Sequence, residues 1–382
     1  MDSRYNLILR NAETENGTRD IHIQDGCIVE KTENAQVIDA TGLYALPSFV
    51  DLHTHLRTPG FEHKEDLSSG CRAAIRGGYT AVNAMANTRP VCSDAEMAYQ
   101  IAEDAAKLEL CDVYQSVSAT RDFDSKTTEH LYTLGDSRYN NSIRAVSDDG
   151  YGVKDAEAFR ISMNKAFKYG KTLMIHAEEE NWETLRDLEI IERERARAHF
   201  CHVSTEVSAR AIMAAKVRGV NVTWEVTPHH IALNSDVNFK VNPPLRSEPD
   251  RLFILECARA GLTDAIATDH APHTPEDKAN GSPGLVGLES AFSVCNTFLN
   301  IEILKKLFCD GPRKILGLPE VRVEVGCSAD LVLVDLCKKR RIDATEFFSK
   351  GRNTPFDGMI MSGDVIYTIK GGKIKHEHGQ IV

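Results

Sequence analysis

Two histidines, His53 and His55, stand at the end of a short, largely apolar run at 49–52. Side chains alternate along a β-strand, so residues two apart point the same way. If the run is a strand, both imidazoles face one point at its end. Imidazole nitrogen is a common ligand of divalent metals. The pair therefore indicates part of a metal site, although an isolated pair of this kind is more often two ordinary polar residues.

Further candidate ligands stand at the ends of other predicted strands: Asp148 or Asp149, His176, His202 and Asp269. Any one of them could be a solvated or capping loop residue. That explanation would have to apply separately at the end of each of these strands, so a shared site is favoured. Four imidazoles and two carboxylates can hold two divalent metals, and Zn²⁺ suits this ligand set. Such a pair of metals can polarise a carbonyl and lower the pKa of a bound water.

The order of the predicted elements explains how residues so distant in the sequence could meet. Eight predicted strands cover 48–55, 79–85, 112–118, 143–147, 172–176, 198–202, 221–226 and 265–268. Predicted helices between them include 95–108, 155–169 and 205–218, the last capped by Ser204. This alternation predicts an α/β fold, a (β/α)8 barrel of the TIM type, with its chemistry at the C-terminal ends of the strands. No Gly-x-Gly-x-x-Gly follows the first strand, which argues against a dinucleotide-binding fold.

Short predicted strands at the two ends of the chain indicate a second, smaller unit. We expect 1–46 and 316–382 to be two parts of one β-sandwich, with the barrel at 47–315 inserted between them. The net charge of −11 argues against nucleic-acid binding, and no apolar stretch reaches the roughly 18 residues of a membrane span. The N-terminus has no signal-peptide core, and the ten cysteines include no Cys-x-x-Cys, so a cytoplasmic protein with reduced thiols is predicted.

Several motifs resemble those of the amidohydrolase superfamily and, within it, the dihydroorotases of bacteria and archaea. They are His53-Thr54-His55-Leu56-Arg57-Thr58-Pro59-Gly60, Met85-Ala86-Asn87-Thr88-Arg89-Pro90, Ser147-Asp148-Asp149-Gly150, Cys201-His202-Val203-Ser204-Thr205, Asn242-Pro243-Pro244-Leu245-Arg246 and Thr268-Asp269-His270-Ala271-Pro272-His273. The resemblance covers nearly the whole chain. It implies reversible hydrolysis of dihydroorotate to N-carbamoyl-L-aspartate, a step of pyrimidine biosynthesis.

The resemblance also implies roles for individual residues. His53, His55 and Asp269 would hold the more buried zinc ion, and His176 and His202 the second. Many members of the superfamily bridge the two metals with a carbamoylated lysine. This chain has no lysine at the end of the fourth strand and resembles the subgroup with a bridging aspartate. The 27-residue step from Asp149 to His176 resembles that subgroup's spacing and favours Asp149 over Asp148.

Catalysis and substrate binding follow from the same resemblance. Asp269 would act as the general acid and base, exchanging a proton with a metal-bound water. Arg57 lies two residues beyond His55, which predicts that it shares the inward face of the strand, where a guanidinium can pair with the substrate carboxylate. Asn87 and His273 resemble the other carboxylate contacts, and Asn242 is expected to touch the ring amides.

Two positions depart from the family pattern. Ser48 stands where relatives usually have glycine, and only 26 residues separate His176 from His202, about half the usual interval. The short interval predicts a single charged helix and a flank that a partner could cover, either in a homodimer or in an association with aspartate carbamoyltransferase.

Two alternatives remain at this level. One is another cyclic amidohydrolase (an allantoinase, hydantoinase or dihydropyrimidinase), whose substrates lack the carboxylate of dihydroorotate. The other is a non-catalytic partner subunit, which the complete set of ligands disfavours.

Overall fold

A computed structural model describes residues 6–382, and the first five residues of the predicted sandwich segment lie outside the described part. The chain begins with five short strands, β1 (Asn6–Ala12), β2 (Arg19–Gln24), β3 (Cys27–Val29), β4 (Gln36–Asp39) and β5 (Tyr44–Pro47). The first four form one sheet in the order β3-β2-β1-β4. Along β1, Leu7 and Leu9 are buried while their neighbours are partly exposed, which is the alternation of a strand that covers a core with one face.

Eight strands follow in the middle of the chain. They are β6 (Phe49–Thr54), β7 (Tyr79–Ala84), β8 (Asp112–Gln115), β9 (Ala145–Val146), β10 (Thr172–Ile175), β11 (Ala198–Phe200), β12 (Val222–Val226) and β13 (Ala265–Ile266). Neighbouring strands pair in parallel within β6-β7-β8 and within β9 to β13. Parallel bridges between Val117 and Val146 and between Thr54 and His270 join the two sheets. The ring of strands closes, so the predicted (β/α)8 barrel is confirmed.

Helices surround this ring. They are α1 (Leu67–Arg76), α2 (Ala95–Ala106), α3 (Ala156–Lys168), α4 (Glu180–Glu194), α5 (Glu206–Val217), α6 (Pro228–Ala232), α7 (Glu248–Arg259), α8 (Pro275–Ala279), α9 (Ala291–Phe298), α10 (Ile301–Lys305) and α11 (Gly311–Leu316). Shorter 3-10 turns occupy Arg121–Phe123, Glu129–Gly135, Ser137–Tyr139 and Ala344–Glu346, and Lys306–Asp310 is a π-helical turn. None of the helices within 6–382 combines the length and the apolar character of a membrane span.

The predicted cap of α5 is wrong by one residue. Thr205 accepts the N–H of Ser208 and begins the helix, whereas the Ser204 hydroxyl donates to Glu180. Ser204 is therefore used to tie α5 to α4 instead of capping its own helix.

The chain ends with β14 (Leu331–Arg341), β15 (Ile360–Lys370), β16 (Lys373–Glu377) and β17 (Gln380–Ile381). These strands form a second sheet in the order β17-β16-β15-β14-β5, so a strand from the N-terminal segment completes a sheet from the C-terminal one. Side chains of both sheets share one core that includes Leu9, Ile23, Leu333 and Ile369. The expected β-sandwich built from both termini is therefore present, while the domain limits at 46/47 and 315/316 stay a prediction.

The barrel strands are shorter than the sequence pattern predicts. His202 (φ 35°) and Asp269 (φ 49°) adopt left-handed backbone conformations, which cannot continue a β-ladder. Beyond β13, the N–H of Thr268 is satisfied by the buried Asp51 carboxylate at 3.0 Å instead of by a neighbouring strand. Of the predicted metal ligands, only His53 lies within a strand, β6, and the others lie in the loops that follow the strands.

The short interval between His176 and His202 contains a single helix, α4, which is followed by the barrel strand β11. This helix buries acidic side chains of its inner face, Glu180, Glu183 and Asp187, together with Leu188 and Ile191. It closes the flank of the barrel, and its outer face exposes Trp182 and Leu185.

Candidate active site

A cavity of about 220 Å³ opens at the C-terminal end of the barrel strands. Eight of the ten predicted site residues line it: His55, Arg57, Asn87, Asp149, His176, Asn242, Asp269 and His273. The other two, His53 and His202, are buried and lie beside them, because both contact Asp149. The structure therefore brings all ten residues to one place, where loops after seven different strands meet.

Asp149 lies among four imidazoles. Its Oδ1 is 3.1 Å from His53 Nε2, 3.5 Å from His176 Nδ1 and 3.8 Å from His202 Nε2. Its Oδ2 is 3.6 Å from His55 Nε2. Burial alone would raise the pKa of Asp149, but attraction to His53 and hydrogen bonds with His176 and His202 hold the pKa well below its ordinary value.

Asp148, the alternative to Asp149, points elsewhere. Its carboxylate accepts the backbone N–H of Thr120 at 2.9 Å and the hydroxyl of the same residue. Asp148 therefore holds the loop after β8, and the geometry favours Asp149 as the residue between two metal positions.

Asp269 lies beside the same two histidine nitrogens as Asp149. Its Oδ1 lies 3.2 Å from His55 Nε2 and 3.5 Å from His53 Nε2. Burial alone would raise the pKa of Asp269, but the hydrogen bond with His55 and the charge of His53 hold the pKa below its ordinary value. The carboxylate is thus ionised at neutral pH and able to accept a proton.

The outward nitrogen of three imidazoles faces an acceptor. His55 Nδ1 is 2.8 Å from Asn87 Oδ1, His176 Nε2 is 2.9 Å from Glu178 Oε2, and His53 Nδ1 is 3.5 Å from Glu225 Oε1. An acceptor on one ring nitrogen fixes the proton there and leaves the lone pair of the other nitrogen free for a metal. The Nε2 atoms of His53 and His55 face both aspartates, and His176 Nδ1 faces Asp149.

These donors fit a metal centre. Two groups of three residues, His53/His55/Asp269 and His53/Asp149/His202, have ligand atoms within 4.8 Å of one another. Both ring nitrogens of His53 are buried without a hydrogen bond, although Nε2 lies near Asp149. His176 Nδ1 and His202 Nε2 face each other at 2.9 Å. Buried imidazole nitrogens without protein donors, next to carboxylates, are what a divalent cation requires.

Sequence reasoning missed the two carboxylates that face the outward nitrogens. Glu178 follows His176 by two residues in a loop, and nothing in the local pattern distinguishes it from a solvated glutamate. Glu225 lies inside the buried strand β12. A charged residue within a predicted core strand is rare, and this signal could have identified Glu225.

Arg57 reaches the cavity by a different route from the predicted one. β6 ends at Thr54, so Arg57 is not on the strand, and the alternation argument for its direction is wrong. Its left-handed backbone (φ 61°) turns the side chain towards Pro272 and His273. Arg57, His202 and Asp269 are thus three non-glycine site residues in an unfavourable backbone conformation, a feature concentrated at functional sites.

The guanidinium of Arg57 gives one side of the cavity a positive charge. Nε donates to the carbonyl of Pro272 at 3.3 Å, and Nη2 lies 3.2 Å from His273 Nε2. Burial lowers the pKa of Arg57 to about 10, so the side chain is still protonated at neutral pH. Burial and the charge of Arg57 lower the pKa of His273 to about 3, which keeps its imidazole neutral. A cation therefore lines the same cavity as the carboxylates of Asp149 and Asp269.

The two asparagines contact two of the predicted histidine ligands. Asn87 accepts from His55 and donates to Asp149 Oδ2 at 3.3 Å. Asn242 donates to Glu178 Oε2 at 3.1 Å and lies 3.4 Å from His176 Nε2. Both line the cavity, so their positions are compatible with the predicted substrate contacts.

Comparisons with known proteins agree with this geometry. The model of the amidohydrolase family matches residues 44–375. A dihydroorotase from Clostridium botulinum (strain Eklund 17B / Type B) is 43% identical over 398 aligned residues, covering 97% of this chain and 99% of the relative. A dihydroorotase from Bacillus cereus (strain AH187) is 37% identical over 429 aligned residues, covering 98% and 96%.

Similar solved structures include two hydantoinases. L-hydantoinase (dihydropyrimidinase) from Arthrobacter aurescens superposes with a TM-score of 0.87 at 22% identity, over 99% of this chain and 97% of that one. D-hydantoinase (dihydropyrimidinase) from Thermus sp. gives 0.84 at 24% identity, over 98% and 96%. At these identities the likeness concerns the fold. The family match and the two close relatives, which align along almost the entire sequence, go further: this chain belongs to the amidohydrolase family and, within it, to the dihydroorotases.

Proposed function

We propose that this protein is a dihydroorotase, which reversibly hydrolyses (S)-dihydroorotate to N-carbamoyl-L-aspartate. The observation that carries the proposal is the charge arrangement of the cavity, where the Arg57 guanidinium faces the carboxylate and imidazole cluster. A cyclic amide with its own carboxylate fits this arrangement, because the carboxylate can pair with the guanidinium while the ring lies at the cluster. Relatives named dihydroorotase support the same substrate.

The proposal includes a pair of zinc ions. His53, His55 and Asp269 would hold one, His176 and His202 the other, and Asp149 would lie between them. When bound, such a pair supplies a polarised ring carbonyl and a water of lowered pKa. The buried nitrogens of His53, which have no hydrogen bond, and the close approach of His176 Nδ1 and His202 Nε2 at 2.9 Å support these ligand assignments.

Asp269 would move the proton. In the hydrolytic direction its carboxylate takes a proton from the attacking water, and the water oxygen bonds to the ring carbonyl carbon next to the methylene group. The carbon–nitrogen bond of the ring amide then breaks, and Asp269 returns the proton to the leaving nitrogen. The new carboxylic acid releases its own proton to the solvent, and ring closure follows the same steps in reverse.

The remaining contacts would orient the ring. Arg57 and the neutral His273 would bind the substrate carboxylate, with Asn87 beside them. Asn242 would reach a ring amide from the Glu178 side of the cavity. Residues at these positions can hold the substrate before the proton transfers. Holding it in place reduces the entropic part of the activation barrier.

The setting that we propose for the enzyme is pyrimidine biosynthesis in the cytoplasm. We also propose that it associates with a second copy or with an aspartate carbamoyltransferase. Trp182 and Leu185 on α4, 60% and 54% exposed, are apolar groups that such a partner could cover. Light scattering after gel filtration tests this: a fully active monomer contradicts both forms of association, and a fully active homodimer contradicts a need for the carbamoyltransferase.

The function is tested by metal analysis and turnover on one sample. Two zinc ions per chain with loss of the ultraviolet absorbance of dihydroorotate are expected. Hydantoin and 5,6-dihydrouracil, which lack the carboxylate, should be poor substrates. Faster turnover of either neutral ring would establish a hydantoinase or dihydropyrimidinase instead. Full metal content without turnover of any ring, alone or with the carbamoyltransferase, would favour a non-catalytic subunit.

A further inference from the structure

Glu225 is a carboxylate buried in the interior of the barrel. Its side chain has no exposed surface, and it lies on β12 beside Cys201, which belongs to an apolar cluster with Leu52 and Met174. An ion in such surroundings costs several kcal/mol unless it is paired and hydrogen-bonded. The carboxylate therefore needs partners, and the structure supplies two of them.

The first partner is a histidine of the neighbouring strand. His199 on β11 pairs with Thr223 on β12, and Glu225 lies two residues further along the same face. His199 Nε2 is 3.0 Å from Glu225 Oε2, and His199 Nδ1 is 2.9 Å from the Thr223 hydroxyl. Both nitrogens of this imidazole are thus used, and Glu225 is held by one of its two oxygens.

The other oxygen faces a metal-site histidine. Glu225 Oε1 has no hydrogen bond, and neither has His53 Nδ1, although the two atoms are only 3.5 Å apart. An approach of about 0.5 Å would make an ordinary hydrogen bond. The proton would then lie on Nδ1, and the lone pair of His53 Nε2 would face Asp149 and Asp269, which are 3.1 and 3.5 Å away.

We infer that Glu225 is a positioning residue of the metal centre, which fixes the tautomer and the ring orientation of His53 and is itself oriented by His199. This inference rests on the metal site of the proposed function. Comparable acceptors face the other rings, but Asn87 is neutral and the side chain of Glu178 is 47% exposed. The full charge of Glu225 acts without solvent screening, so it should influence metal affinity most strongly.

The test is metal binding by the full-length Glu225→Gln variant, measured by titrating metal-free protein with Zn²⁺ against a competing chelator. The dissociation constant of one of the two zinc ions should rise about ten- to a hundredfold, while the other changes little. The matched control is Glu189→Gln, which removes an equal charge from an exposed site on α4 and should leave both constants unchanged.

Thermal unfolding of the metal-free proteins separates positioning from a structural role. Glutamine has nearly the same volume as glutamate, and its amide oxygen can still accept a hydrogen bond from His199, so the midpoint of metal-free Glu225→Gln should change little. A lowered midpoint with both zinc affinities unchanged would assign Glu225 a structural role and overturn the inference. So would zinc constants within threefold of wild type.

A second variant covers the case in which Glu225→Gln does not fold. Glu225→Asp keeps the charge but withdraws the oxygens by about one carbon–carbon bond, 1.5 Å. Positioning predicts the same loss of zinc affinity, and an unchanged affinity would refute it. Turnover is recorded separately: wild-type protein that binds two zinc ions but does not hydrolyse dihydroorotate would disprove the proposed function and leave this inference standing.

Discussion

Replacing Arg57 by methionine should remove the cation that faces the substrate carboxylate while keeping most of the volume of the side chain. The guanidinium has five N–H groups. Two are directed at the Pro272 carbonyl and His273 Nε2, which leaves three for a ligand in the cavity. Because burial leaves the pKa of Arg57 at about 10, the side chain stays charged throughout the pH range of an ordinary assay.

The size of the effect follows from the hydrogen bonds that would be lost. A carboxylate can accept two N–H groups of a guanidinium in parallel, and each charged hydrogen bond is worth about 1.5–3 kcal/mol. The loss is therefore about 3–6 kcal/mol. At about 1.4 kcal/mol for each factor of ten, kcat/KM for dihydroorotate should fall about 10²- to 10⁴-fold.

The assay compares wild type, Arg57→Met and Arg57→Lys with dihydroorotate and with 5,6-dihydrouracil, at equal zinc content. The lysine variant keeps the charge without the planar fork and should lie between the other two. Activity towards the neutral ring should change little, because that ring has no carboxylate to bind. A kcat/KM for dihydroorotate within threefold of wild type in Arg57→Met, at normal zinc content, would refute the assignment.

Other substitutions test separate parts of the structure. Asp149→Asn should lose about one zinc ion per chain and most of the activity, whereas Asp148→Asn should keep both metals; elemental analysis distinguishes them, and the opposite pattern would exchange their roles. Burial raises the pKa of Asp187 to about 7, whereas the pKa of aspartate in the unfolded chain is about 3.9. The contribution of this shift to the free energy of unfolding is therefore complete below pH 4 and is lost as the pH rises through 7. Metal-free Asp187→Asn should therefore be more stable than wild type at pH 8, by at most about 4 kcal/mol in urea unfolding. Free energies of unfolding that change with pH in parallel for the two proteins would contradict this. Ser48 hydrogen-bonds Thr80 and Arg313 at 2.5 and 2.9 Å, so Ser48→Ala should lower the free energy of unfolding by about 1–3 kcal/mol; an unchanged urea midpoint would show that the bonds contribute nothing.

The fold class and the membership of the cluster could be predicted from the residue pattern alone. In a parallel barrel all strands end on the same side, so polar residues that follow apolar runs must meet there. That rule brought His53, His176, His202 and Asp269 together without any knowledge of contacts. The sandwich was equally predictable, since strands with one buried face at each end of the chain can cover one another.

The directions of side chains and the identity of their neighbours depend on how the whole chain folds. Asp148 and Asp149 are adjacent in the sequence, and only the position of Thr120 in another loop shows which of them turns away from the histidines. Arg57 reaches the cavity through a left-handed turn that no strand alternation describes. Local patterns cannot determine these features, because a left-handed backbone is stabilised by the contacts around it.

The same reason applies to Glu225. Its charge was visible in the sequence. Its role, however, depends on His199 in the neighbouring strand and on His53 in the first strand of the barrel. Periodicity fixes which face of a strand a residue occupies, whereas partners across the barrel depend on how all the strands are arranged. The types and the order of the proposed ligands could therefore be read from the sequence, and the contacts that orient them arise only when the barrel closes.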